Sequence, residues 1–406
     1  MAFSKIKWTV FDNIITPFNL FRLKRKQRVK VLFVLTELSN WKTERLYNQM
    51  VLHPKIEPIL GITPTPVDTE EAREKIRTYC KEHGYPFVEI DKDRTLTRQT
   101  HADIIMYAQP YFSIYYPKHL FTHNLSALFV YVNYAMHTIM EEWSINNLLC
   151  LHSWQYYFEN EDVANEYGGR MKNGGRNLFV TGVPLMDHFL DKASRLPDPW
   201  KLAGTRKKII YAPHHTIGSD KLPDLQGVNL STFLEYADFM LELAVRYKDE
   251  VYFAFKPHPY LKRKLYTVWG KERTDEYYRS WNELANAQVE TGDYYELFLN
   301  SDAMIHDCSS FSVEYFYSKN PVLYLLKEEE LHVNGSRMFK KAFDAHYHGR
   351  SKKDIEQFIV NVCNGNDPLK AQRASFYDEY LIPPGNKTAC ENIVDSILTM
   401  RRFSHL

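Results

Sequence analysis

Residues 301–324 read SDAMIHDCSSFSVEYFYSKNPVLY, and this stretch decides the fold class. The apolar run at 302–307 predicts a buried strand, the segment 309–319 predicts a helix, and the apolar run at 321–325 predicts a second strand. Short buried strands that alternate with helices are typical of a parallel sheet covered on both faces. The stretch therefore predicts a doubly wound α/β domain.

The same alternation extends on both sides of this stretch. A polar segment at 191–205, which contains Pro197 and Pro199, predicts a linker. After the linker, strands are expected at 207–212 and 251–256. Helices of the same domain are expected at 230–247, 293–300, 353–363, 368–380 and 387–400.

A second set of alternating elements precedes the linker. Strands are expected at 29–37, 57–62, 86–90, 102–108, 127–132, 147–152 and 177–182, with helices at 43–52 and 69–83. The sequence thus predicts a basic amphipathic segment at 1–28 and two doubly wound Rossmann-like domains, at 29–195 and 205–406. Because ligands of such sheets bind at the carboxyl ends of the strands, we expect the two domains to face each other across a cleft.

The composition excludes several classes of protein. With 44% hydrophobic and 25% charged residues, the chain of 406 residues has ample material for globular cores. Its net charge of +1 gives no global basic field for nucleic acid, so a specific small ligand is expected. The five cysteines are far apart and form no CxxC pair, which fits a reducing cytoplasm. Since no apolar run is long enough to span a bilayer and no cleavable signal peptide is recognisable, we expect a cytoplasmic protein.

Positive charge is concentrated at the amino terminus. Residues 1–30 carry eight Lys or Arg and one Asp, a net +7, which leaves the other 376 residues at −6. Apolar residues recur there at three- and four-residue intervals, which predicts an amphipathic helix that Pro17 should kink or break. The apolar stripe consists of Phe3, Ile6, Val10, Ile14, Phe18 and Phe21. Two interpretations stay open: a segment on an anionic membrane surface, or a helix packed on the protein with a solvated basic linker.

The predicted turn between strand and helix at 307–310 carries the first candidate site. Ser309 and Ser310 open the helix directly after Asp307, so that hydroxyls, free backbone N–H groups and the positive end of the helix dipole converge. Such a point binds anions, most naturally phosphate. The alternative is that Asp307 or Ser309 simply caps the helix. Glu314 follows one turn later, where its carboxylate either meets ribose hydroxyls or is solvated.

Three histidines follow two other strands of the second domain. Lys256 ends one strand, and the prolines on both sides of His258 hold its imidazole in an extended backbone at the carboxyl end, within the expected cleft. Pro213 precedes His214 and His215 at the end of the other strand. We expect this pair to line a phosphate pocket rather than to bind zinc, because no further ligands for a metal are recognisable.

His137 is the candidate catalytic residue of the first domain. It follows the strand expected at 127–132, at the carboxyl end of that domain's sheet. An isolated histidine is more often structural than catalytic, but this position would make it face His258 across the cleft.

Motifs for metals and dinucleotides are weak or missing. Asp91, Lys92 and Asp93 form a DxD triplet that merely ends a short strand of the first domain. The segment after the first strand, VLTELSNW at 34–41, lacks the G-x-G-x-x-G pattern of dinucleotide sites. We therefore expect neither a metal nor a cofactor.

The second half of the chain resembles the CDP-glycerol glycerophosphotransferase family, the primases and polymerases of teichoic acid synthesis. The resemblance extends over roughly residues 205–400 and rests on the order and spacing of four motifs. These are APH at 212–214, KPHP at 256–259, DCSS at 307–310 with Glu314, and NPVLY at 320–324. In the first domain, MHT at 136–138 is a partial match to the family's Trp-His-Gly-Thr motif, without the tryptophan and the glycine.

This resemblance implies a GT-B fold and the transfer of glycerol phosphate, or a related polyol phosphate, from CDP-glycerol to a hydroxyl. The acceptor would be a membrane-proximal glycan or a lipid-linked molecule in the synthesis of a cell-surface polymer such as a capsule, at the inner face of the membrane. His137 would be the general base, and His258 would stabilise the diphosphate without a divalent metal. The donor-binding residues would be Pro213, His214, His215, Lys256, Asp307, Ser309, Ser310 and Glu314.

Other functions are compatible with the same motifs. The His-Pro and Ser-Ser pair also looks like the CMP-binding signature of capsule glycosyltransferases that use CMP-activated sugars. In that case Asp91 or Glu37 would be the base, and His137 would be dispensable. A UDP-sugar 2-epimerase or a catalytically silent GT-B binding module is the third interpretation.

Overall fold

The computed structural model shows two compact α/β units. It describes residues 8–191, 197–201, 204–219, 221–222, 231–327 and 335–400. The first unit is discontinuous: it comprises the chain up to His188 and the segment from Ile382 onward. The second unit is Phe189–Leu381. Residues 192–196 and 202–203 of the predicted linker lie outside the described residues.

The first unit is built on a parallel sheet of seven strands. They are β1 Val29–Leu35, β2 Ile56–Ile62, β3 Phe87–Glu89, β4 Ile104–Tyr107, β5 Leu128–Tyr131, β6 Gln155–Phe158 and β7 Leu178–Val180. Their order is β3-β2-β1-β4-β5-β6-β7, and every pairing is parallel. The chain moves outward in one direction from β1 and then in the other from β4. The carboxyl ends of β1 and β4 are therefore the topological switch point of this sheet.

The helices of the first unit pack on this sheet. Apolar side chains of the helix Glu44–Val51 and of the C-terminal helix share one buried core with β1. The α-helices are Thr16–Leu23, Glu44–Val51, Glu70–Glu82, Leu96–Thr100, Glu142–Ile145, Leu148–His152, Glu161–Arg170, Pro184–Leu190 and Ala389–Thr399.

The second unit is built on a parallel sheet of six strands. They are β8 Lys207–Ala212, β9 Val251–Phe255, β10 Ala287–Val289, β11 Ala303–His306, β12 Val322–Leu325 and β13 Tyr347–Gly349, in the order β10-β9-β8-β11-β12-β13. The α-helices are Phe233–Arg246, Leu261–Val268, Lys271–Glu283, Tyr295–Leu299, Phe311–Glu314, Arg337–Asp344, Lys352–Cys363 and Lys370–Tyr380. Two Rossmann-like units with parallel sheets confirm the predicted α/β fold class.

One predicted strand of the first unit is wrong. The run at 147–152 forms the helix Leu148–His152, and the strand follows at Gln155–Phe158. The side chain of Asn147 accepts a hydrogen bond from the Cys150 backbone N–H and so caps the helix. Apolar periodicity does not distinguish a short helix from the short strand that follows it. The capping asparagine is the sequence signal that identifies the helix.

Two strands of the second unit were not predicted. Ala287–Val289 and Tyr347–Gly349 are three residues long and form the two edges of the sheet. An edge strand is paired on one side only and needs no continuous apolar run, so it leaves a weak pattern in the sequence.

The C-terminal segment belongs to the first unit, which corrects the predicted domain 205–406. The chain returns to the first unit at Ile382. The helix Ala389–Thr399 buries Cys390, Ile393, Val394 and Ile397 in the same core as β1. An amphipathic pattern predicts that a helix buries one face, but it does not say which sheet that face covers.

The amino-terminal segment forms one continuous helical stretch from Trp8 to Leu23. Pro17 was predicted to kink or break the helix. A π-helical turn, Phe11–Ile15, precedes the α-helix that contains Pro17, so the helix is distorted before the proline but not broken. The wider turn accommodates a residue that lacks a backbone N–H. Phe3 and Ile6 of the predicted stripe lie outside the described residues. In the part of the chain that the structure describes, no helix is long and apolar enough to cross a membrane.

One face of this helical stretch is held on the first unit. Phe11 and Leu20 are buried, and Asn19 donates two hydrogen bonds to backbone carbonyls of the segment 125–127 (2.9 and 3.2 Å). Lys26 pairs with the buried Asp103 carboxylate at 2.7 Å. The described part of the predicted stripe does not face the core. Its exposed fractions are 40% for Val10, 62% for Ile14, 65% for Phe18 and 54% for Phe21.

We predict that Asp187→Ala destabilises the first unit. The buried Asp187 carboxylate accepts hydrogen bonds from the backbone N–H groups of Ala389 and Cys390, both at 2.8 Å, at the start of the C-terminal helix. Loss of this cap should lower the free energy of unfolding by about 1–3 kcal/mol in urea titrations. The control is Asp395→Ala, which removes an exposed ion pair with Lys387 on the same helix and should have little effect. Equal effects of the two substitutions would contradict the capping role.

Candidate functional site

Three of the predicted motifs meet at one edge of the second unit's sheet. Strands β9, β8 and β11 are neighbours and run parallel, so their carboxyl ends lie side by side. The segments 213–215, 256–258 and 307–310 directly follow these three strands. The structure therefore brings together the residues that the sequence placed in a common donor site.

The histidines of this edge form a cluster. The ring centroids of His215 and His258 are 4.1 Å apart, and those of His214 and His258 are 5.0 Å apart. The backbone N–H of His258 donates to the carbonyl of Pro213 at 3.1 Å, which ties the two loops together. The prolines of both motifs thus shape the backbone that carries the rings.

Hydrogen bonds determine which ring nitrogens carry protons. The Tyr260 backbone N–H donates to Nδ1 of His258 (3.1 Å), and the Lys264 ammonium donates to Nδ1 of His215 (2.8 Å). In a neutral imidazole whose Nδ1 accepts, the proton is on Nε2. His215 and His258 therefore offer Nε2–H donors, and Lys264 adds a positive charge beside them.

This cluster favours an anion over a cation. One ring nitrogen from each of the three histidines can be chosen so that all lie within 4.8 Å of one another, a spacing suited to a metal ion. A metal, however, binds the lone pair of a ring nitrogen, and in two of these rings the lone pair already accepts a proton from Tyr260 or Lys264. The neighbouring Lys264 ammonium would also repel a cation. The sequence predicts that His214 and His215 lie together, but not that His258 completes the cluster.

Burial keeps His214 and His258 neutral. Burial, together with the nearby His215 and Lys264, lowers the pKa of His214 to about 3. Burial likewise lowers the pKa of His258 to about 2, together with the neighbouring histidines and lysines. The rings therefore donate hydrogen bonds without carrying charge at neutral pH, and an approaching anion favours their protonation.

The buried carboxylate of Asp307 holds the backbone of the site in place through hydrogen bonds. It is 3% exposed, and its Oδ1 accepts a hydrogen bond from the backbone N–H of His214 at 2.6 Å. Its Oδ2 accepts from the Ser231 hydroxyl (2.9 Å) and from the backbone N–H and hydroxyl of Thr232 (2.7 and 3.0 Å). Both carboxylate oxygens are thus bound within the protein, and Asp307 positions His214.

Ser309 and Ser310 do not cap the helix that follows them. No side chain caps the helix Phe311–Glu314. In the described chain the Ser309 hydroxyl meets no hydrogen-bond partner, and Ser310 Oγ lies 3.3 Å from Sγ of Cys308. The helix has only four residues before a 3-10 turn, which is shorter than predicted.

Glu314 and Lys256 are buried. Glu314 is 2% exposed and accepts a hydrogen bond from the Tyr294 hydroxyl at 2.6 Å, so it is not a solvated helix residue. Lys256 is 6% exposed, and its ammonium donates to the carbonyl of Gly292 at 2.5 Å. Both side chains stabilise the loops around the candidate site.

His137 of the first unit belongs to a buried network that the sequence analysis missed. Its Nδ1 lies 3.0 and 2.9 Å from the two carboxylate oxygens of Glu159, and its backbone N–H donates to Glu159 at 2.8 Å. Its Nε2 lies 2.7 Å from the Tyr156 hydroxyl. The ring stacks on Phe158 at a centroid distance of 4.0 Å. His137 is 3% exposed and Glu159 is fully buried.

These contacts indicate which tautomer a neutral His137 adopts. The Glu159 carboxylate only accepts, so Nδ1 of His137 donates and Nε2 holds the lone pair that receives the Tyr156 O–H. Glu159 and Tyr156 lie on or beside β6, the strand that the sequence analysis displaced. His137 and the histidine cluster belong to different units, and their placement across a cleft stays a prediction.

The chain matches one family of known proteins. The sequence model of the family described as CDP-Glycerol:Poly(glycerophosphate) glycerophosphotransferase matches residues 132–399. A teichoic acid ribitol-phosphate primase of Bacillus spizizenii is 22% identical over 237 residues, which are 55% of this chain and 53% of the relative. A teichoic acid poly(ribitol-phosphate) polymerase of the same organism is 23% identical over 246 residues, or 59% of this chain and 36% of the relative. The chain thus spans about half the length of the primase and about a third of the polymerase.

Solved structures show the same fold. A variant of the wall teichoic acid polymerase TagF aligns with a TM-score of 0.59 at 14% identity, over 97% of this chain and 92% of that chain. The UDP-GlcNAc 2-epimerase from Neisseria meningitidis aligns with a TM-score of 0.60 at 14% identity, over 92% of this chain and 100% of that chain. These likenesses agree with the predicted GT-B class, and at such identities they show the fold alone.

We predict that His258→Gln makes the protein less sensitive to acid. The pKa of His258 is about 2 in the folded protein, against about 6.5 for an ordinary histidine. Below about pH 6.5 the unfolded chain therefore binds a proton that the folded chain does not, and stability falls as the pH falls. The melting temperature should drop less between about pH 7 and pH 5 in this variant than in the unmodified protein.

The control for this measurement is His348→Gln, which changes an exposed histidine of the same unit. It shows the effect of a His→Gln substitution that removes no ring of the cluster. An unchanged pH dependence in His258→Gln would show that the ring of His258 is not held neutral.

Proposed function

Because the chain belongs to the CDP-glycerol:poly(glycerophosphate) glycerophosphotransferase family, we propose that it transfers glycerol phosphate, or a related polyol phosphate, from a CDP-activated donor to an acceptor hydroxyl. The observation that carries this proposal is the cluster of His214, His215 and His258 at the carboxyl edge of the second unit's sheet. Two Nε2–H donors and a lysine ammonium are suited to a diphosphate. The ribitol in the names of two relatives leaves the polyol open.

The donor would bind through its diphosphate at this edge. His215 and His258 donate hydrogen bonds to phosphate oxygens, and Lys264 supplies charge. The hydroxyls of Ser309 and Ser310 follow the adjacent strand β11 and add further donors. As the bond to CMP breaks, negative charge grows on the leaving phosphate. Donors already in place stabilise that charge, which is the main way proteins accelerate phosphoryl transfer.

The reaction exchanges one phosphorus–oxygen bond for another. The acceptor oxygen attacks the phosphorus that carries the polyol, and the bond from this phosphorus to the CMP oxygen breaks. CMP leaves with both electrons of that bond. The proton of the acceptor hydroxyl goes to a general base, for which we propose Nε2 of His137.

The network around His137 supports this role. Glu159 holds Nδ1–H and would stabilise the imidazolium that forms when Nε2 takes up the proton. The Tyr156 hydroxyl covers Nε2 at 2.7 Å, so the acceptor hydroxyl would replace it there. Glu159 is accordingly a positioning residue. It is 22 residues from His137 in sequence, and the pairing of β5 with β6 brings the two residues together.

We predict that His258→Ala lowers the rate of CMP release from CDP-glycerol by about 100-fold to 1,000-fold. The ring contributes a donor to the diphosphate and does not support the core, so the melting temperature should change little. CMP release is measured with an acceptor-containing membrane fraction, and the fold is checked by circular dichroism.

The matched control is His348→Ala, which removes an exposed histidine of the same unit and should release CMP at the normal rate. Normal turnover in His258→Ala would remove the central residue of the proposed mechanism. A response to a CMP-activated sugar in place of CDP-glycerol would instead favour the capsule glycosyltransferase, with Glu37 or Asp91 as base.

We further propose that the amino-terminal helical stretch places the protein on the anionic inner surface of the cell membrane. Ile14, Phe18 and Phe21 form an exposed apolar line on a helix whose opposite face is packed on the first unit. Exposed cations, among them Lys24 and Arg25, follow directly. Aromatic side chains bury in the interface, while each cation near anionic headgroups contributes about 1 kcal/mol. The acceptor would then be a glycan or lipid-linked molecule at this surface.

We predict that the double substitution Phe18→Ser and Phe21→Ser lowers binding to vesicles of phosphatidylglycerol and phosphatidylcholine by about tenfold or more. Cosedimentation measures the bound fraction. Binding of the unmodified protein should fall with added salt and on vesicles of phosphatidylcholine alone. The control is Leu52→Ser, which removes an apolar side chain that is 81% exposed on the same unit. If it weakens binding as much as the double substitution, the helix is not the contact surface.

A further inference from the structure

Two buried histidines of the second unit have no role in the candidate site, although one of them adjoins it. His306 is the last residue of β11 and directly precedes the segment 307–310, here called the serine turn. His346 directly precedes β13. His306 is fully buried, His346 is 3% exposed, and their ring centroids are 5.5 Å apart.

Hydrogen bonds at Nδ1 give the two rings complementary tautomers. The backbone N–H of Cys308 donates to Nδ1 of His306 at 3.2 Å, so the proton of this neutral ring is on Nε2. Nδ1 of His346 lies 2.7 Å from the carbonyl oxygen of Ala342, which can only accept. His346 therefore carries its proton on Nδ1 and a lone pair on Nε2. At Nε2, His306 is a donor and His346 is an acceptor.

Both Nε2 atoms are buried and have no hydrogen-bond partner among the described residues. Burial lowers the pKa of His306 to about 3, and burial together with the neighbouring His306 holds the pKa of His346 well below its usual range. The two rings are therefore neutral at pH 7. A buried donor or acceptor without a partner costs free energy, and such groups are normally satisfied by protein or by ordered water.

The pair selects a neutral molecule that both donates and accepts a hydrogen bond. A metal ion would need a lone pair from each ring, whereas His306 offers an N–H. An anion would meet the lone pair of His346, and a cation would be repelled by the buried guanidinium of Arg373, whose charge also lowers the pKa of His346. Two atoms bridged by one water lie about 5 Å apart, which rings with centroids at 5.5 Å allow.

We propose that one buried water molecule bridges Nε2 of His306 and Nε2 of His346. The water accepts from His306 and donates to His346. It thereby completes a chain of hydrogen bonds from the Cys308 N–H to the Ala342 carbonyl, in the last turn of the helix Arg337–Asp344. This chain ties the serine turn to that helix, and His346 is a positioning residue for the turn. The inference does not depend on the proposed transfer.

A crystal structure of the full-length chain, at a resolution that shows ordered water, tests the bridge directly. The expected result is a water within about 2.7–3.2 Å of both Nε2 atoms. Nitrogen-15 NMR of histidine-labelled protein should show His306 protonated on Nε2 and His346 on Nδ1, with each ring assigned by its loss in His306→Leu or His346→Leu. A direct bond between the rings, the same tautomer in both, or no water between the nitrogens would overturn the proposal.

The positioning role is tested with His346→Leu, which removes the acceptor and keeps a side chain of similar size. The Cys308 amide should then exchange its hydrogen about tenfold faster or more, relative to the amides of β8 in the same unit. The control is Phe343→Leu, which changes a ring whose centroid lies 6.4 Å from that of His346 and leaves the hydrogen-bond chain in place. Equal acceleration in the two variants would show that packing alone holds the serine turn, which contradicts the proposal.

These outcomes are separate from those of the proposed transfer. If the water and the exchange rates are as expected but CDP-glycerol yields no CMP, the bridge stands and the proposed transfer is refuted. If CMP release depends on His258 but no water bridges the two rings, only this inference is refuted.

Discussion

The buried carboxylate of Asp307 is the interaction on which the candidate donor site depends. It directly follows β11 and accepts four hydrogen bonds, one from the backbone of His214 after β8 and three from Ser231 and Thr232. A carboxylate at 3% exposure is stable only when its oxygens are satisfied in this way. It therefore fixes the loop that carries His214 and His215, and through the contact of Pro213 with His258 it fixes the third ring as well.

The physical consequence is a site made of hydrogen-bond donors. Burial and the nearby positive groups lower the pKa of His214 and of His258, and the hydrogen bonds to Nδ1 of His215 and His258 place the proton of each neutral ring on Nε2. The proposed diphosphate would thus meet rings that do not repel one another as a protonated cluster would. Its binding would also strengthen as charge develops, because protonation of the rings becomes more favourable.

Much of this arrangement could be predicted from the sequence, and the rest could not for identifiable reasons. Near-continuous apolar runs such as Val29–Leu35 predict buried parallel strands, and the order of the motifs predicts that they share one edge. Burial, in contrast, is a tertiary property. The sequence around Asp307 does not show that both carboxylate oxygens accept hydrogen bonds within the protein. No local sequence pattern links Glu159 to His137. The run at 147–152 was placed in the wrong element because its length fits a strand and a helix equally.

The most direct test of this account is thermal stabilisation of the protein by CDP-glycerol, CMP, a CMP-activated sugar and a UDP-sugar. Each is added at about 100 times a plausible dissociation constant, where binding stabilises the folded state by about 2.7 kcal/mol. The account predicts a rise in melting temperature with the cytidine compounds, largest for CDP-glycerol, and its loss in His258→Ala. A response to the UDP-sugar alone would contradict it and would identify the histidine cluster as part of a different nucleotide site.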